Sequence, residues 1–215
     1  MKAADILTHV DDTLLKAYAT WEEIDKLCAE AVLLHTASVC VPPCYIKRIR
    51  EAYPDLTICT VVGFPLGYSV TEAKAAETQK AIDDGADEVD MVINITDVKN
   101  GDFAAVLAEI KALRGLTQGK ILKVIIETCY LTEEEKIRLC EIVTEAGADY
   151  IKTSTGFGTA GATLEDIALF KEHIGPDVKM KAAGGIRTKE AMEAYLDAGC
   201  DRIGSSSASK IAKED

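Results

Sequence analysis

The chain has 215 residues, of which 24 are basic and 36 acidic, so its formal net charge at pH 7 is −12 with histidine neutral. Hydrophobic residues make up 48% and charged residues 28% of the chain, values typical of globular proteins that exclude an intrinsically disordered chain. The acidic excess argues against a nucleic-acid-binding protein, which needs a basic surface, but it is compatible with an anionic small substrate in a locally positive pocket.

Neither a membrane-spanning segment nor a secretory signal is expected from this sequence. No run of about 18 uncharged apolar residues occurs, and no long apolar stretch follows Met1 to Asp5. The seven cysteines are odd in number and include no Cys-x-x-Cys pair, and the three histidines are scattered, so no zinc site is predicted. Reduced thiols in a cytoplasmic protein are the expectation.

Eight short apolar runs alternate with amphipathic helical patterns along the chain. A capping box of Thr132 and Glu135 begins a predicted helix over residues 132–146 that ends at Gly147, and a second helix over 71–84 ends at Gly85. Parallel strands need crossover helices, so the alternation predicts parallel β/α units. The predicted strands are residues 7–10, 38–41, 57–62, 88–93, 122–126, 150–153, 178–182 and 202–205.

A weak internal repeat indicates how many units there are. Gly-Ala-Asp occurs at 85–87 and 147–149, and Gly-Cys-Asp occurs at 199–201. The separations of 62 and 52 residues each match two β/α units, so these repeats precede strands four, six and eight. We predict an α/β fold, a single (β/α)8 TIM barrel forming one domain over residues 1–215. An open doubly wound sheet is the alternative, although eight similar units favour closure.

The repeat also aligns side chains that carry chemistry. Asp90, Lys152 and Gly204 each lie five residues after a repeat glycine. Alternate residues of a barrel strand face inwards, so Asp90 and Lys152 should face the interior at similar height. Gly204 should leave room there for a ligand. Active sites in this fold lie at the carboxyl ends of the strands.

Three lysines lie inside apolar strand segments, namely Lys123, Lys152 and Lys181. A buried ammonium is costly unless it is paired or used, and a salt bridge is the ordinary explanation for any one of them, as for Lys123. For Lys152 and Lys181 on adjacent strands, a neighbouring cation and partial burial would lower the ordinary lysine pKa of about 10.4 and free a lone pair. The neutral amine could then attack a carbonyl to form a Schiff base, with Asp90 moving protons. The residues alone do not decide which lysine is the nucleophile.

Glycine-rich segments follow strands six, seven and eight. They include Gly156, Gly184 with Gly185, and Gly204 before Ser206 and Ser207. Tight turns would explain each segment singly, but backbone amides at this end of a barrel commonly bind phosphate, so together they predict a phosphate site. Further candidate substrate contacts are Asp11 and Thr13, which with His9 and Asp12 are expected to follow strand one, together with Cys40 and Thr155. The alternative role is helix capping for the residues after strand one and core packing for Cys40.

At the level of whole motifs, the sequence resembles the deoxyribose-phosphate aldolase family. The resemblance covers essentially the whole chain, and several motifs in the same order make it specific. The matching segments are DDTLLK at 11–16, VGFPLG at 62–67, EVDMVIN at 88–94, KVIIET at 123–128, IKTSTGF at 151–157 and KAAGGIR at 181–187.

This resemblance implies a class I aldolase of deoxynucleoside breakdown that reversibly cleaves 2-deoxy-D-ribose 5-phosphate to D-glyceraldehyde 3-phosphate and acetaldehyde. It implies that Lys152 forms the Schiff base, that Lys181 depresses the pKa of that lysine and relays protons, and that Asp90 donates and accepts protons. It implies no metal or other cofactor and a homo-oligomer, a dimer. The residues that it assigns to the phosphate are Gly184, Gly185, Gly204, Ser206 and Ser207.

The sequence departs from the family pattern at four places. Asp12 stands where many relatives have histidine, Thr96-Asp97 replaces a common Gly-Ala, and Ala208 replaces a frequent glycine. The chain also ends without the tyrosine tail that aids proton transfer in some members. Two other functions remain open, a Schiff-base aldolase for another sugar phosphate and a silent sugar-phosphate-binding barrel. The second would not need Lys152 and Lys181.

Overall fold

The structure is a computed structural model that describes residues 1–213. Its eight strands form a closed barrel in chain order, and every neighbouring pair is parallel, including the closing pair β8 and β1. The predicted TIM barrel is confirmed, and the open sheet is excluded. The strands are β1 Val10–Thr13, β2 Ser38–Val41, β3 Ile58–Val62, β4 Glu88–Val92, β5 Ile121–Ile125, β6 Tyr150–Lys152, β7 Lys179–Ala183 and β8 Arg202–Ser205.

Helices alternate with the strands and cover the outside of the barrel. The predicted capping box is present, because the Thr132 side chain accepts from the Glu135 amide and the Glu135 carboxylate accepts from the Thr132 amide. Across residues 1–213, no helix is both long enough and apolar enough to cross a bilayer. The helices are α1 Ala3–Leu7, α2 Trp21–Leu34, α3 Ile46–Ala52, α4 Thr71–Asp83, α5 Ile95–Lys99, α6 Phe103–Leu116, α7 Glu133–Glu145, α8 Leu164–His173, α9 Lys189–Asp197 and α10 Ala208–Ile211.

The prediction for strand one is wrong by about three residues. Leu7 ends helix α1, and the strand covers the two carboxylates Asp11 and Asp12 that the sequence analysis had placed after it. A strand with two buried carboxylates shows no apolar run, so periodicity missed it. His9 therefore precedes the strand, and its Nδ1 lies 3.0 Å from the Asp201 carbonyl oxygen at the amino-terminal end of the barrel. A substrate contact by His9 is excluded by this position.

The aspartates of the three Gly-x-Asp repeats have a common structural role. In each case the preceding glycine has a φ between 69° and 112°, which ends the helix, and the aspartate carboxylate then accepts a backbone N–H at the start of the previous strand. The repeat therefore ties β3 to β4, β5 to β6 and β7 to β8, which explains its period of two units. The pairs are Asp87 with Ile58, Asp149 with Leu122 and Asp201 with Met180, at 2.7–3.3 Å.

The apolar core lies between the strands and the helices, whereas the inside of the barrel is charged. Along β4, Val89 and Met91 belong to the main apolar cluster beneath the helices, and Asp90 between them points the other way. Such alternation is expected for strands with two different faces. The fold thus keeps apolar packing outside the barrel and reserves its interior for polar chemistry.

One ion pair is buried within the helical layer itself. Lys74 on α4 donates to Glu109 on α6 at 2.7 Å and to the Val92 carbonyl oxygen at 2.8 Å, while the Asn94 amide donates to the other Glu109 oxygen at 3.2 Å. Neither charged side chain is exposed by more than 4%. The pair therefore anchors the carboxyl end of β4 to two helices.

We expect Lys74→Met to lower the free energy of unfolding by about 3–5 kcal/mol, because it leaves the Glu109 carboxylate buried without its cation. Lys80→Met is the matched control on the same helix, since Lys80 pairs with Asp84 at the surface and such pairs contribute about 0–1 kcal/mol. Urea unfolding of both variants measures the difference. Equal losses in the two variants would contradict the assigned role.

Candidate active site

Seven charged side chains form one network inside the barrel. They come from six different strands, and almost all are fully buried. When all are ionised, four cations face three carboxylates, so the network carries one positive charge in excess. Its members are Asp11, Glu88, Asp90, Lys123, Lys152, Lys181 and Arg202.

Asp90 is the centre of this network. Its Oδ2 accepts from Lys152 at 2.8 Å and from Lys181 at 2.7 Å. Its Oδ1 accepts from Lys123 at 2.9 Å and from the Cys59 thiol at 3.2 Å. Burial alone would raise the pKa of Asp90, but the charges of Lys123, Lys152 and Lys181 outweigh it and hold the pKa well below its usual range. Asp90 is therefore a carboxylate at neutral pH.

A second carboxylate, Asp11, supports the network from β1. It accepts from Lys181, from Arg202 and from the Ser38 hydroxyl, the last at 2.7 Å. Burial raises the pKa of Asp11, but Lys181, Lys123 and Arg202 together hold it far below its usual value. Asp11 does not line the open cleft, so the structure places this candidate substrate contact behind Lys181 instead.

The two lysines that the sequence analysis paired differ in their access to the cleft. Lys152 and Lys181 are register partners on β6 and β7, as expected for neighbours at the same height. Lys152 lines the cleft with 3% of its surface exposed, whereas Lys181 is fully buried. Burial by itself lowers the pKa of Lys181, but Asp11 and Asp90 outweigh burial and raise this pKa well above the ordinary lysine value. Lys181 is therefore a lasting cation beside Lys152.

A cleft of about 220 Å³ opens above Lys152 at the carboxyl ends of the strands. Five of the predicted phosphate residues line it, whereas Ser207 does not, and the candidate contacts Thr13 and Thr155 line it too. Two cations that the sequence analysis left without a role, Lys16 and Arg187, also line it. Each is the last residue of a motif segment quoted above, DDTLLK and KAAGGIR, which was the available signal. The lining predicted residues are Gly156, Gly184, Gly185, Gly204 and Ser206.

Close packing explains part of the glycine content around the cleft. A Cβ on Gly161 would lie 2.1 Å from the Gly184 carbonyl oxygen, so two loops meet where no side chain fits. A Cβ on Gly204 would lie 2.9 Å from the Ala183 side chain and 3.3 Å from Lys181. Gly185, with φ +81°, has nothing within 4 Å of a Cβ and faces open space. Some glycines around the cleft are therefore required by close packing, and others leave a surface open to a ligand.

Glu127 supports a loop beside the cleft, and the sequence analysis assigned it no role. It ends the run after β5 in a left-handed backbone conformation, with φ 54° and ψ 68°. Its buried carboxylate accepts from the Thr155 hydroxyl and, at 3.1 Å, from the Thr155 amide. The same hydroxyl accepts from the Phe157 amide at 3.0 Å. Glu127 thus fixes the loop that directly follows Lys152.

Two cysteines lie side by side beneath the cleft. Cys40 on β2 and Cys59 on β3 are register partners and are fully buried. Cys40 does not line the cleft, which fits the packing alternative for this residue. Its hydrogen bond with Cys59 and the charges of Lys181 and Lys152 lower the pKa of Cys40 against burial, whereas burial above all raises the pKa of Cys59.

The departures from the family pattern lie away from Lys152. Asp12 is buried on the face of β1 opposite Asp11, where burial first and Glu30 second raise its pKa to about 7. Thr96-Asp97 lies in the first turn of α5, and both side chains hydrogen-bond to Asn94. Ala208 is buried at the start of α10. The prediction about the tail concerns Glu214 and Asp215, which lie outside the described residues.

Comparison with known proteins agrees with this arrangement. A model of the family described as DeoC/LacD family aldolase matches residues 2–207. A deoxyribose-phosphate aldolase from Clostridium botulinum is 64% identical over 99% of this chain and 97% of its own length, and one from Clostridioides difficile is 56% identical over 98% and 96%. The tetrameric structure of the deoxyribose phosphate aldolase from Aeropyrum pernix matches at 31% identity with a TM-score of 0.92, covering 99% of this chain and 92% of that one. The resemblance drawn from the motifs is thereby confirmed.

We expect Asp12→Asn to change the pH dependence of stability. Because the pKa of Asp12 is raised from 3.8 to about 7, the folded chain holds a proton that the unfolded chain has lost between those values. Stability therefore falls as pH rises through this window, by about 1.4 kcal/mol per unit at most, and levels off above pH 7. Asn removes the ionisation, so the variant should gain stability over the wild type at pH 8 and lose that advantage near pH 4.

Urea unfolding at the two pH values, at one fixed protein concentration, measures this effect. Asp25→Asn, which replaces an acidic residue on α2 by a neutral one, controls for the general loss of one negative charge. A difference between Asp12→Asn and wild type that is the same at both pH values would argue against a raised Asp12 pKa.

Proposed function

Because the chain belongs to the DeoC/LacD family of aldolases, we propose that it is a class I aldolase that reversibly cleaves 2-deoxy-D-ribose 5-phosphate into D-glyceraldehyde 3-phosphate and acetaldehyde. The observation that carries the proposal is the contact of Lys152 with Asp90 at the floor of a cleft lined by glycine-rich loops. The relatives described above support this substrate, since they are deoxyribose-phosphate aldolases. The pathway would be the breakdown of deoxynucleosides.

Lys152 is the nucleophile in this proposal. Of the three lysines in the buried network, Lys152 alone lines the cleft, and the carboxylate that it contacts, Asp90, is shared with Lys181. Lys181 is held by two carboxylates, Asp11 and Asp90. Since the network has one positive charge in excess, the loss of one lysine proton leaves it neutral. In this proposal the unprotonated amine of Lys152, which carries the lone pair, attacks the substrate aldehyde.

The chemistry follows from the placement of Asp90 and Lys181. Attack by the Lys152 amine on C1 and loss of water give a protonated imine, which lies against the Asp90 carboxylate. A base removes the proton of the C3 hydroxyl, the C2–C3 bond breaks, and its electrons pass to the imine to form an enamine. Protonation of the enamine at C2 and hydrolysis release acetaldehyde. Asp90 and Lys181, 2.7 Å apart, move these protons through water.

The phosphate would lie at the glycine-rich rim of the cleft. Gly185 faces open space, and Ser206, Arg187 and Lys16 line the same cleft. Backbone amides and cations of this kind suit a dianion. The Ser207 amide already donates to the Ser205 hydroxyl at 3.2 Å, so Ser207 has only its side chain to offer.

Two further parts of the proposal concern the state of the enzyme. The seven cysteines are all free, which fits the reducing cytoplasm that we propose as its location. The homo-oligomer, a dimer, stays a prediction that light scattering can measure.

Trapping of the imine tests the nucleophile. Borohydride reduction in the presence of acetaldehyde should attach an ethyl group to Lys152, as mapped by peptide mass spectrometry. Lys152→Ala should lose the adduct and at least about a thousand-fold in turnover, because no other amine lines the same floor. Lys179→Met, at the exposed start of β7, is the matched control and should keep both.

An adduct on Lys181 would refute the assignment of roles. No adduct in the folded wild type would favour a silent binding barrel. Cleavage of ribose 5-phosphate in preference to the deoxy sugar would point to an aldolase for another sugar phosphate.

The phosphate contact is tested at Arg187. Arg187→Met should raise KM for 2-deoxyribose 5-phosphate by about ten-fold or more, since a hydrogen bond to a charged group contributes about 1.5–3 kcal/mol. Its kcat/KM for unphosphorylated 2-deoxyribose should not change. Arg138→Met, on the exposed face of α7, serves as the control. Equal effects on both sugars would show that Arg187 does not bind the phosphate.

A further inference from the structure

The carboxylate of Glu127 holds one residue of the cleft wall, Thr155, by two hydrogen bonds. Glu127 is 2% exposed and follows β5, whereas Thr155 follows β6, so the contact joins the ends of two neighbouring strands. One carboxylate oxygen accepts from the Thr155 amide at 3.1 Å, and the other accepts from the Thr155 hydroxyl. Both oxygens of a buried carboxylate are therefore engaged with a residue that lines the cleft.

Glu127 has an uncommon backbone conformation at this contact. Its φ of 54° and ψ of 68° lie in the left-handed region, which residues other than glycine seldom occupy. A Cβ on Gly158 would lie 3.1 Å from the Glu127 carboxyl carbon and 2.8 Å from the Cys129 sulfur, so the glycine leaves room for the carboxylate. Local strain of this kind is concentrated at functional sites, which directs attention to what Glu127 does for the cleft.

The contact fixes the direction in which the Thr155 hydroxyl can form hydrogen bonds. A hydroxyl has one hydrogen to donate and two lone pairs that accept, whereas a carboxylate only accepts. The Thr155 hydrogen is donated to Glu127, and one lone pair accepts from the Phe157 amide at 3.0 Å. One lone pair is left. Thr155 can therefore accept a hydrogen from a ligand in the cleft but cannot donate one.

We propose that Glu127 is a positioning residue that makes Thr155 a hydrogen-bond acceptor for the C4 hydroxyl of the substrate. This inference rests on the proposed function. The C3 hydroxyl loses its proton when the C2–C3 bond breaks, whereas the C4 hydroxyl keeps its proton and can donate throughout the reaction. C4 also lies between C1, which Lys152 attacks, and the phosphate at the glycine-rich rim. Thr155 follows Lys152 and precedes Gly156 in the loop that lines this part of the cleft.

Glu127→Gln reverses the hydrogen-bond direction at Thr155 with almost no change of shape. The Thr155 amide only donates, so the amide oxygen of the new side chain must face it, and the new NH₂ group then faces the Thr155 hydroxyl. Both lone pairs of that hydroxyl then accept from N–H groups, and its hydrogen is free. The substitution therefore converts Thr155 from an acceptor into a donor toward the cleft.

The test uses the condensation of acetaldehyde with two phosphorylated aldehydes, which is the reverse of the proposed cleavage. One is D-glyceraldehyde 3-phosphate, whose C2 hydroxyl becomes the C4 hydroxyl of the product. The other carries fluorine in place of that hydroxyl, and fluorine can accept but not donate. The measured quantity is the ratio of kcat/KM for the hydroxylated aldehyde to kcat/KM for the fluorinated one. A general loss of activity acts on both aldehydes and leaves this ratio unchanged.

Glu127→Gln should lower the ratio at least about ten-fold, because the substrate hydroxyl loses its acceptor while fluorine gains a donor. Thr155→Ser keeps the hydroxyl and should keep the ratio, whereas Thr155→Val should lose it. In the Thr155→Val background, Glu127→Gln should change the ratio by less than about two-fold. Glu133→Gln, the same substitution at an exposed position of α7, is the matched control and should leave the ratio unchanged.

An unchanged ratio in an active Glu127→Gln variant would show that Glu127 only supports the loop. An equally large fall in the Thr155→Val background would show that Glu127 does not act through Thr155. Circular dichroism shows whether Glu127→Gln is folded, and if it is not, the two Thr155 variants decide. A hydroxyl free to turn serves both aldehydes, so equal ratios in Thr155→Ser and Thr155→Val would overturn the proposal. A wild type that condenses neither aldehyde would instead refute the proposed function, and this inference with it.

Discussion

The contact between one carboxylate, Asp90, and the ammonium groups of three lysines is the interaction on which the rest of this structure depends. A barrel interior is commonly filled with apolar side chains, and here it holds charges that would be costly to bury singly. The cost is offset because every cation has an oxygen partner on another strand. The same contacts therefore link β4 to β5, β6 and β7 across the inside of the barrel.

Contacts around the Asp90 network hold the strands that carry its members. Asp11 reaches Lys181 only because β1 lies next to β8 in the closed sheet, and Arg202 of β8 then joins Asp11 to Glu88. The Gly-x-Asp repeats tie the strands in pairs at their amino-terminal ends, and the Lys74–Glu109 pair anchors the far end of β4. The strands on both sides of Asp90 are thereby held in place, so its Oδ1 and Oδ2 accept hydrogen bonds from different partners.

Much of the fold and part of the site could be predicted from the sequence, for reasons that differ from residue to residue. Alternation of apolar runs and helix signals predicted seven of the strands closely, and it failed at β1, where Asp11 and Asp12 interrupt the run. The repeat predicted that Asp90 and Lys152 face inwards together. Contacts across the barrel were beyond the sequence, because local spacing does not say that Glu127 holds Thr155 or that Cys40 adjoins Cys59.

The excess charge of the network suits an amine that changes its charge during a reaction. In the proposed reaction, a protonated imine on Lys152 would carry the same charge as the ammonium that it replaces, so Asp90 could keep its contact without rearrangement. An enamine is neutral, like the free amine. With either of them at Lys152, the three remaining cations of the network balance its three carboxylates. Lys181 is held by both Asp11 and Asp90, whereas Lys152 contacts Asp90 and lines the cleft, so the structure offers Lys152 rather than Lys181 to a substrate.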